Sequence, residues 1–180
     1  MTALRRTFSN LPRETRDTLF LLATVGWVVL PLAPYLPAWT TALAAAVLVW
    51  RGVLALRGRP QPGRWQLGVL LAASVALTVV THGTIVGRDA GVTLIVMLLA
   101  LKTMEMNARR DAMVIFFLSF FTMLSNFFFS QSLATAAAML IALLGLLTAL
   151  VNAHLPVGRP PLTVALRLAC RMALLGAPVM

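Results

Sequence analysis

The chain has 180 residues, of which 60% are hydrophobic and 11% are charged, whereas soluble domains hold roughly 45–50% apolar and about 25% charged residues. Such a chain has too little polar surface to be soluble, which excludes soluble enzymes and soluble binding domains. The net charge of +10 does not indicate nucleic-acid binding, because the basic residues lie in short segments between apolar runs. Positive charge in such segments sets membrane orientation and meets anionic lipid.

The apolar runs predict an all-α protein, a polytopic transmembrane helix bundle with six full spans and a truncated seventh helix. Runs of roughly 17–20 apolar residues match the length that a helix needs to cross about 30 Å of hydrocarbon. Proline-rich and glycine-rich segments separate the runs, because proline removes a backbone donor and ends a helix. The predicted spans cover residues 18–30, 39–56, 65–81, 90–106, 111–129 and 133–152.

The same pattern divides the chain into four parts. Residues 1–17 form a basic segment, residues 18–153 the six-span bundle, residues 154–161 a loop, and residues 162–180 the start of a further transmembrane helix. That last helix is still apolar at Met180, so we expect the natural protein to continue toward the outer face.

Positive charge predicts the orientation of the bundle. If the N-terminus lies inside, the outer segments carry only Arg88, whereas the other arginines and the lysine fall in inner segments. By the positive-inside rule, residues 1–17 and residues 154–161 are then cytoplasmic. We expect anionic lipid to contact this basic face.

Four charged residues stand beside apolar runs in residues 87–131, namely Asp89, Lys102, Glu105 and Asp111. The helix between Asp89 and Lys102 is about 18 Å long, and that between Asp89 and Glu105 about 24 Å, both short of the roughly 30 Å hydrocarbon core. A carboxylate at that depth needs a partner, because a lone buried charge is very costly. These charges therefore predict a polar network.

At the inner end, Lys102 lies three residues before Glu105 and Arg109 lies four after it, so both fall on the helix face of Glu105. Arg110 and Asp111 follow at the next turn. We interpret this group as an ionic network that holds two helices in register. A working site for a lipid headgroup or a proton is the alternative, because charges within a membrane are commonly functional.

At the outer end, Arg88 and Asp89 follow Gly87, and Gln131 brings another polar group to the same level. Glycine permits a sharp turn, Asp89 is the candidate cap of the fourth helix, and we expect Arg88 to reach headgroups or another protein segment. We interpret the group as capping and anchoring. Contact with a partner domain or a ligand is the alternative.

Small residues repeat every four positions in the third and sixth spans, as Gly68, Ala72 and Ala76 and as Ala134, Ala138 and Ala142. This spacing lets helices approach closely. We expect both sets to pack within the bundle, with a dimer face as the alternative, and the oligomeric state stays open.

Cys170 is the only cysteine, which rules out an intrachain disulfide and a multi-cysteine metal site. A nucleophilic cysteine needs a base within reach, and the sequence positions none beside it. We interpret Cys170 as an inert helix residue, and we predict no catalytic, metal-binding or cofactor-binding residue in this chain.

Five short motifs occur in a fixed order in the charged stretch. They are Gly-Arg-Asp-Ala-Gly (87–91), Leu-Lys-Thr-Met-Glu (101–105), Arg-Arg-Asp (109–111), Phe-Leu-Ser-Phe-Phe (117–121) and Ser-Gln (130–131). In this order they resemble the N-terminal membrane domain of TgpA-like bacterial transglutaminase-core proteins. The resemblance covers most of the chain.

The resemblance implies a bacterial inner-membrane protein with several N-terminal spans, a periplasmic transglutaminase-like domain, a final C-terminal span and a suspected role in cell-wall metabolism. The enzyme domain of that family uses a Cys-His-Asp triad. Cys170 does not match its nucleophile, and no part of the enzyme domain lies in these 180 residues.

We therefore expect the chain to anchor and position a covalently linked periplasmic acyl-transfer domain, while being silent in catalysis itself. The alternative is a small transporter or lipid-binding protein that uses the intramembrane charges. A third interpretation is a scaffold that binds another membrane protein.

Overall fold

Six α-helices follow one another in the computed structural model, which describes residues 12–106 and 109–154 together with residues 164, 167, 168, 170 and 171. The described residues are helical or connect helices, and no strand occurs among them. The helices are α1 Arg13–Val29, α2 Ala38–Arg57, α3 Arg64–His82, α4 Arg88–Glu105, α5 Arg109–Ser125 and α6 Leu133–His154. Short 3₁₀ turns occur at Leu30–Leu32 and Asn126–Phe128.

The helices end where the sequence interrupts them. After α1, the chain turns through Pro31, Pro34 and Pro37, none of which can donate a backbone hydrogen bond. Gly58 (φ 58°) and Gly83 (φ 69°) follow α2 and α3 in the left-handed conformation, which commonly ends a helix because glycine adopts it without a Cβ clash. Local sequence therefore fixes the helix ends.

Five helices in the described part of the chain are long and apolar enough to cross a membrane. Their candidate spans are Thr15–Leu32, Ala38–Arg57, Arg64–His82, Asp111–Phe128 and Leu133–Asn152. The helix α4 is not among them, because Arg88, Asp89, Lys102 and Glu105 all lie within its 18 residues. By length and composition, five of the six predicted spans are thus matched, and the span predicted at residues 90–106 is not.

The predicted helix at residues 162–180 lies largely outside the described residues. Residues 164, 167, 168, 170 and 171 are helical. The loop predicted at residues 154–161 begins with His154, which is the last residue of α6, and the remainder of that loop is not described. Residues 1–11 of the predicted basic segment also lie outside the described part.

The helix α4 is the most enclosed helix of the described bundle. It packs against α2, α3 and α5. Its buried residues are Ala90, Val92, Thr93, Val96, Met97, Leu99, Ala100, Leu101, Thr103 and Met104. Its charged residues stand only near its two ends, where Arg88 pairs with Asp89 and Lys102 pairs with Glu105, so its apolar middle packs against the other helices.

Contacts at the helix ends show that α2 runs opposite to both α1 and α3. Near the start of α1, Oγ1 of Thr15 donates to the carbonyl of Ala55 near the end of α2 at 3.4 Å. At the other side of the bundle, Nε1 of Trp39 donates to Oγ1 of Thr81 at 3.1 Å, joining the start of α2 to the end of α3. We call the side that holds residues 57–64 the basic end, and the opposite side the Arg88 end.

The helices α1 and α6 approach each other closely. A Cβ atom added at Gly145 would lie 2.9 Å from Cγ2 of Thr24, and Nε1 of Trp27 donates to the carbonyl of Ala138 at 3.2 Å. Ala142 is buried in a cluster that also contains Val28 of α1. The expected packing of small residues of α6 within the bundle is therefore confirmed at Ala142 and wrong at Ala134, which is exposed.

The corresponding expectation for α3 is wrong. Gly68, Ala72 and Ala76 are all exposed, and the buried residues of α3 are Ser74 and Thr78. Each of these two hydroxyls donates to the carbonyl four residues earlier, so its polarity is satisfied within the helix. Spacing alone did not show which face of α3 would meet α4.

Candidate functional site

The C-terminus of α4 is capped by side chains from two other segments. Any helix leaves its last carbonyls without an intrahelical donor. Nε of Arg51, on α2, donates to the carbonyl of Thr103 at 3.0 Å, and Nε2 of Gln61, between α2 and α3, donates to the carbonyl of Met106 at 2.6 Å. These two bonds tie the end of α4 to its neighbours at the basic end.

Arg51 is a functional candidate that the sequence prediction missed. It is only 7% exposed, although it lies within the candidate span Ala38–Arg57. Its position beside the C-terminus of α4 is favourable, because the helix dipole presents partial negative charge there. The signal is present in the sequence, since Arg51 is a charged residue inside the predicted span 39–56, where a charge is commonly functional.

The predicted contact between Lys102 and Glu105 is present. Nζ of Lys102 lies 2.9 Å from Oε2 of Glu105, and the two side chains are 26% and 46% exposed. A pair with this exposure contributes little to stability. The ammonium group of Lys102 is thus the partner that the sequence predicts for the carboxylate of Glu105.

The other residues predicted for the inner end of the network lie at the start of α5. Arg109 and Arg110 are its first two residues, and Asp111 stands in its first turn, where a negative charge suits the helix dipole. Asp111 is half-buried. The side chains of Arg109 and Arg110 lie outside the described atoms, so the bridge from Arg109 to Glu105 stays a prediction.

Arg88 joins three segments at the opposite end of α4. Its Nε lies 3.1 Å from Oδ1 of Asp89, and its Nη1 donates to the carbonyl of Phe128 at 3.3 Å. The guanidinium also lies over the ring of Phe129, 4.7 Å from the centroid, and that ring stacks on Tyr35 at 5.2 Å. Arg88 thus links α4 to the segment after α5, and Phe129 of that segment in turn contacts Tyr35 in the turn after α1.

The predicted cap of α4 by Asp89 is wrong. Gly87, with φ 150°, is the N-cap, and no side chain caps this end. Asp89 stands in the first turn and pairs with Arg88, where its charge still suits the dipole. Gln131 is exposed, and no hydrogen bond within the described chain joins it to Arg88 or Asp89. The expected outer cluster therefore reduces to Arg88 with Asp89 and aromatic neighbours.

The remaining reactive residues do not form a cluster in the described chain. Cys170 is a half-buried free cysteine, and Nδ1 of His82 lies 3.2 Å from the carbonyl of Thr78. Among the residues that the structure describes, no three His, Cys, Asp or Glu side chains come together as a metal site would require. The site features are thus the two charged ends of α4 and the buried Arg51.

Apolar helices around an enclosed helix with charged ends mark the chain as a helical membrane protein. A family model described as the TgpA N-terminal domain matches residues 20–180. The chain belongs to this family, and the resemblance seen in its sequence motifs is confirmed.

One relative carries the name of an enzyme. The chain is 33% identical over 136 residues to a protein-glutamine gamma-glutamyltransferase of Pseudomonas aeruginosa. The match covers 74% of this chain but 20% of the relative, so the chain spans about a fifth of that protein's length. No solved structure matches the chain.

Proposed function

We propose that this chain is the membrane module of a larger transglutaminase-like protein, and that it anchors and positions an acyl-transfer domain on the periplasmic side of a bacterial inner membrane. One observation carries the proposal. The chain aligns with only 20% of a relative named as a glutamyltransferase, and five helices in the described part of this chain are long and apolar enough to cross a membrane. The acyl-transfer chemistry, and with it a role in cell-wall metabolism, would then belong to a linked domain with a Cys-His-Asp triad.

The module crosses the membrane six times in this proposal, because α4 is a span in addition to the five apolar helices. The helix α3 ends at the Arg88 end and α5 begins at the basic end, so α4 must run the length of the bundle between them. Its 18 residues span about 27 Å. Because α2, α3 and α5 pack against it, its apolar middle meets protein, and its end charges form the pairs Arg88–Asp89 and Lys102–Glu105.

The charge distribution supports a cytoplasmic basic end. In spheroplasts of a Cys170→Ser background, a membrane-impermeant maleimide is expected to label Thr84→Cys, at the Arg88 end, and to leave Arg59→Cys, at the basic end, unlabelled. Both positions are exposed, so the membrane alone decides access. Labelling of Arg59→Cys before detergent is added, with Thr84→Cys protected, would reverse the proposed orientation.

The anchoring role is tested on the complete natural protein. We expect the coding sequence beyond Met180 to encode a transglutaminase-like domain, and external protease to digest that domain in spheroplasts. Deleting residues 1–180 is expected to leave the domain protected inside the cell, because its export depends on the membrane module. A stop codon after Met180, or a domain that is protected in the complete protein, would contradict the proposal.

A lipid-binding role is the second candidate, and it is favoured over transport. At each end of α4 the charged residues pair with each other, Arg88 with Asp89 and Lys102 with Glu105. The groove between α1 and α2 is lined by apolar residues. A charged substrate would find no polar path in these features. The buried Arg51 favours binding of an anion at one membrane face.

A further inference from the structure

We propose that Arg51 is the centre of a phosphate-binding site at the basic end of the bundle, formed by the two terminal nitrogens of its guanidinium. The ligand is a phosphate group, presented by a lipid headgroup or as free phosphate. The inference does not depend on a linked transglutaminase-like domain, because it rests only on the surroundings of Arg51.

The hydrogen bonds of Arg51 leave most of its donors unused. A guanidinium carries five N–H groups, and Arg51 uses the one on Nε for the carbonyl of Thr103. Within the described residues, neither Nη1 nor Nη2 has a hydrogen-bond partner, and the ion pairs join Arg16 to Asp17, Arg88 to Asp89 and Lys102 to Glu105. The planar fork that suits a bidentate anion is therefore unoccupied by these protein groups.

The burial of Arg51 makes an unpaired fork costly. The residue is 93% buried, being 7% exposed, and a cation removed from water needs compensation by an anion or by oriented dipoles. The carbonyl end of α4 supplies part of this compensation, equivalent to roughly half an elementary negative charge. An anion at the fork would compensate the rest of the charge. The terminal nitrogens are not fully enclosed, so such an anion has access to them.

The depth and charge of the site indicate a phosphate group at the membrane surface. The guanidinium meets the carbonyl of Thr103, two residues before the end of α4, and so lies within about one helical turn of that end. The adjoining segment carries Arg59 and Arg64, both exposed. The nearby carboxylate of Glu105 already pairs with Lys102. An arginine fork binds phosphate through two parallel hydrogen bonds, and membrane phosphates lie at this level.

The test measures binding by the full chain in phosphate-free maltoside micelles, using native mass spectrometry. Dihexanoyl-phosphatidylglycerol and inorganic phosphate are titrated separately. Arg51→Gln is expected to weaken binding by about tenfold or more, because it removes charge-assisted hydrogen bonds. Arg57→Gln is the matched control, since it removes one positive charge from the same helix at an exposed position. It is expected to change the affinity by less than about threefold.

Each outcome decides the proposal. Loss of phosphatidylglycerol binding alone in Arg51→Gln assigns a lipid phosphate, and loss of both ligands assigns the phosphate group itself. If Arg51→Gln shows no cooperative thermal unfolding, Arg51→Lys replaces it, because lysine keeps a donor for Thr103 but lacks the fork. Three outcomes overturn the site. They are equal binding by the wild type and Arg51→Lys, equal binding by Arg51→Gln and Arg57→Gln, and no binding of either ligand.

Discussion

Replacing Leu99 by alanine is expected to lower the free energy of unfolding by about 2 kcal/mol, which is the lower end of the range for buried leucine. Leu99 is fully buried in α4 and belongs to the larger core cluster. The lower end applies because lipid tails are as apolar as leucine, so helix packing rather than transfer from water is lost. Unfolding in mixed maltoside and dodecyl sulfate micelles, followed by tryptophan fluorescence, measures the change.

Leu98→Ala is the matched control for this experiment. Leu98 is the preceding residue on the same helix and is 41% exposed, so its truncation leaves little empty space inside the protein. We expect a change below about 0.5 kcal/mol. Equal effects of the two substitutions would mean that α4 is not the enclosed helix of the bundle.

Replacing Gly145 by alanine is expected to destabilise the contact between α1 and α6 by about 1–3 kcal/mol. The added Cβ would lie 2.9 Å from Cγ2 and 3.3 Å from Oγ1 of Thr24. Thr24 cannot turn away easily, because it is β-branched, buried, and donates to the carbonyl of Phe20 at 2.9 Å. The same unfolding assay reports the loss.

Two further variants separate the clash from the effect of removing a glycine. Gly26→Ala, on α1, meets no atom within 4 Å and is expected to stabilise the helix by roughly 0.5–1 kcal/mol. Thr24→Ala combined with Gly145→Ala is expected to recover most of the lost stability, because contacting residues give non-additive effects. A fully additive double variant would show that α1 and α6 do not touch at this point.

The helix positions could be predicted because their causes are local. Apolar runs identified the helical segments, and prolines after α1 and glycines after α2 and α3 ended them within a few residues of the predicted boundaries. The start of α1 at Arg13 precedes the predicted residue 18, since the polar first turns continue the same helix. The close pair Lys102–Glu105 was also predictable, because its two members share one helix face.

Contacts between distant segments could not be predicted in this way. Arg51 and Thr103 are 52 residues apart, and Arg88 and Phe128 are 40 residues apart. Their meeting depends on which helices pack together and how each is rotated. The same rotation exposed Gly68, Ala72 and Ala76 although their spacing suited a packed face.

The sequence by itself therefore determined a membrane-type helical chain, the approximate ends of its helices and its family, because composition, helix breakers and ordered motifs are properties of neighbouring residues. Only the tertiary structure decided that the charged helix α4 lies enclosed among α2, α3 and α5. It also decided that a buried arginine from α2 caps that helix with part of its guanidinium still available. These features arise from side-chain packing between helices, which the periodicity of a single helix does not encode.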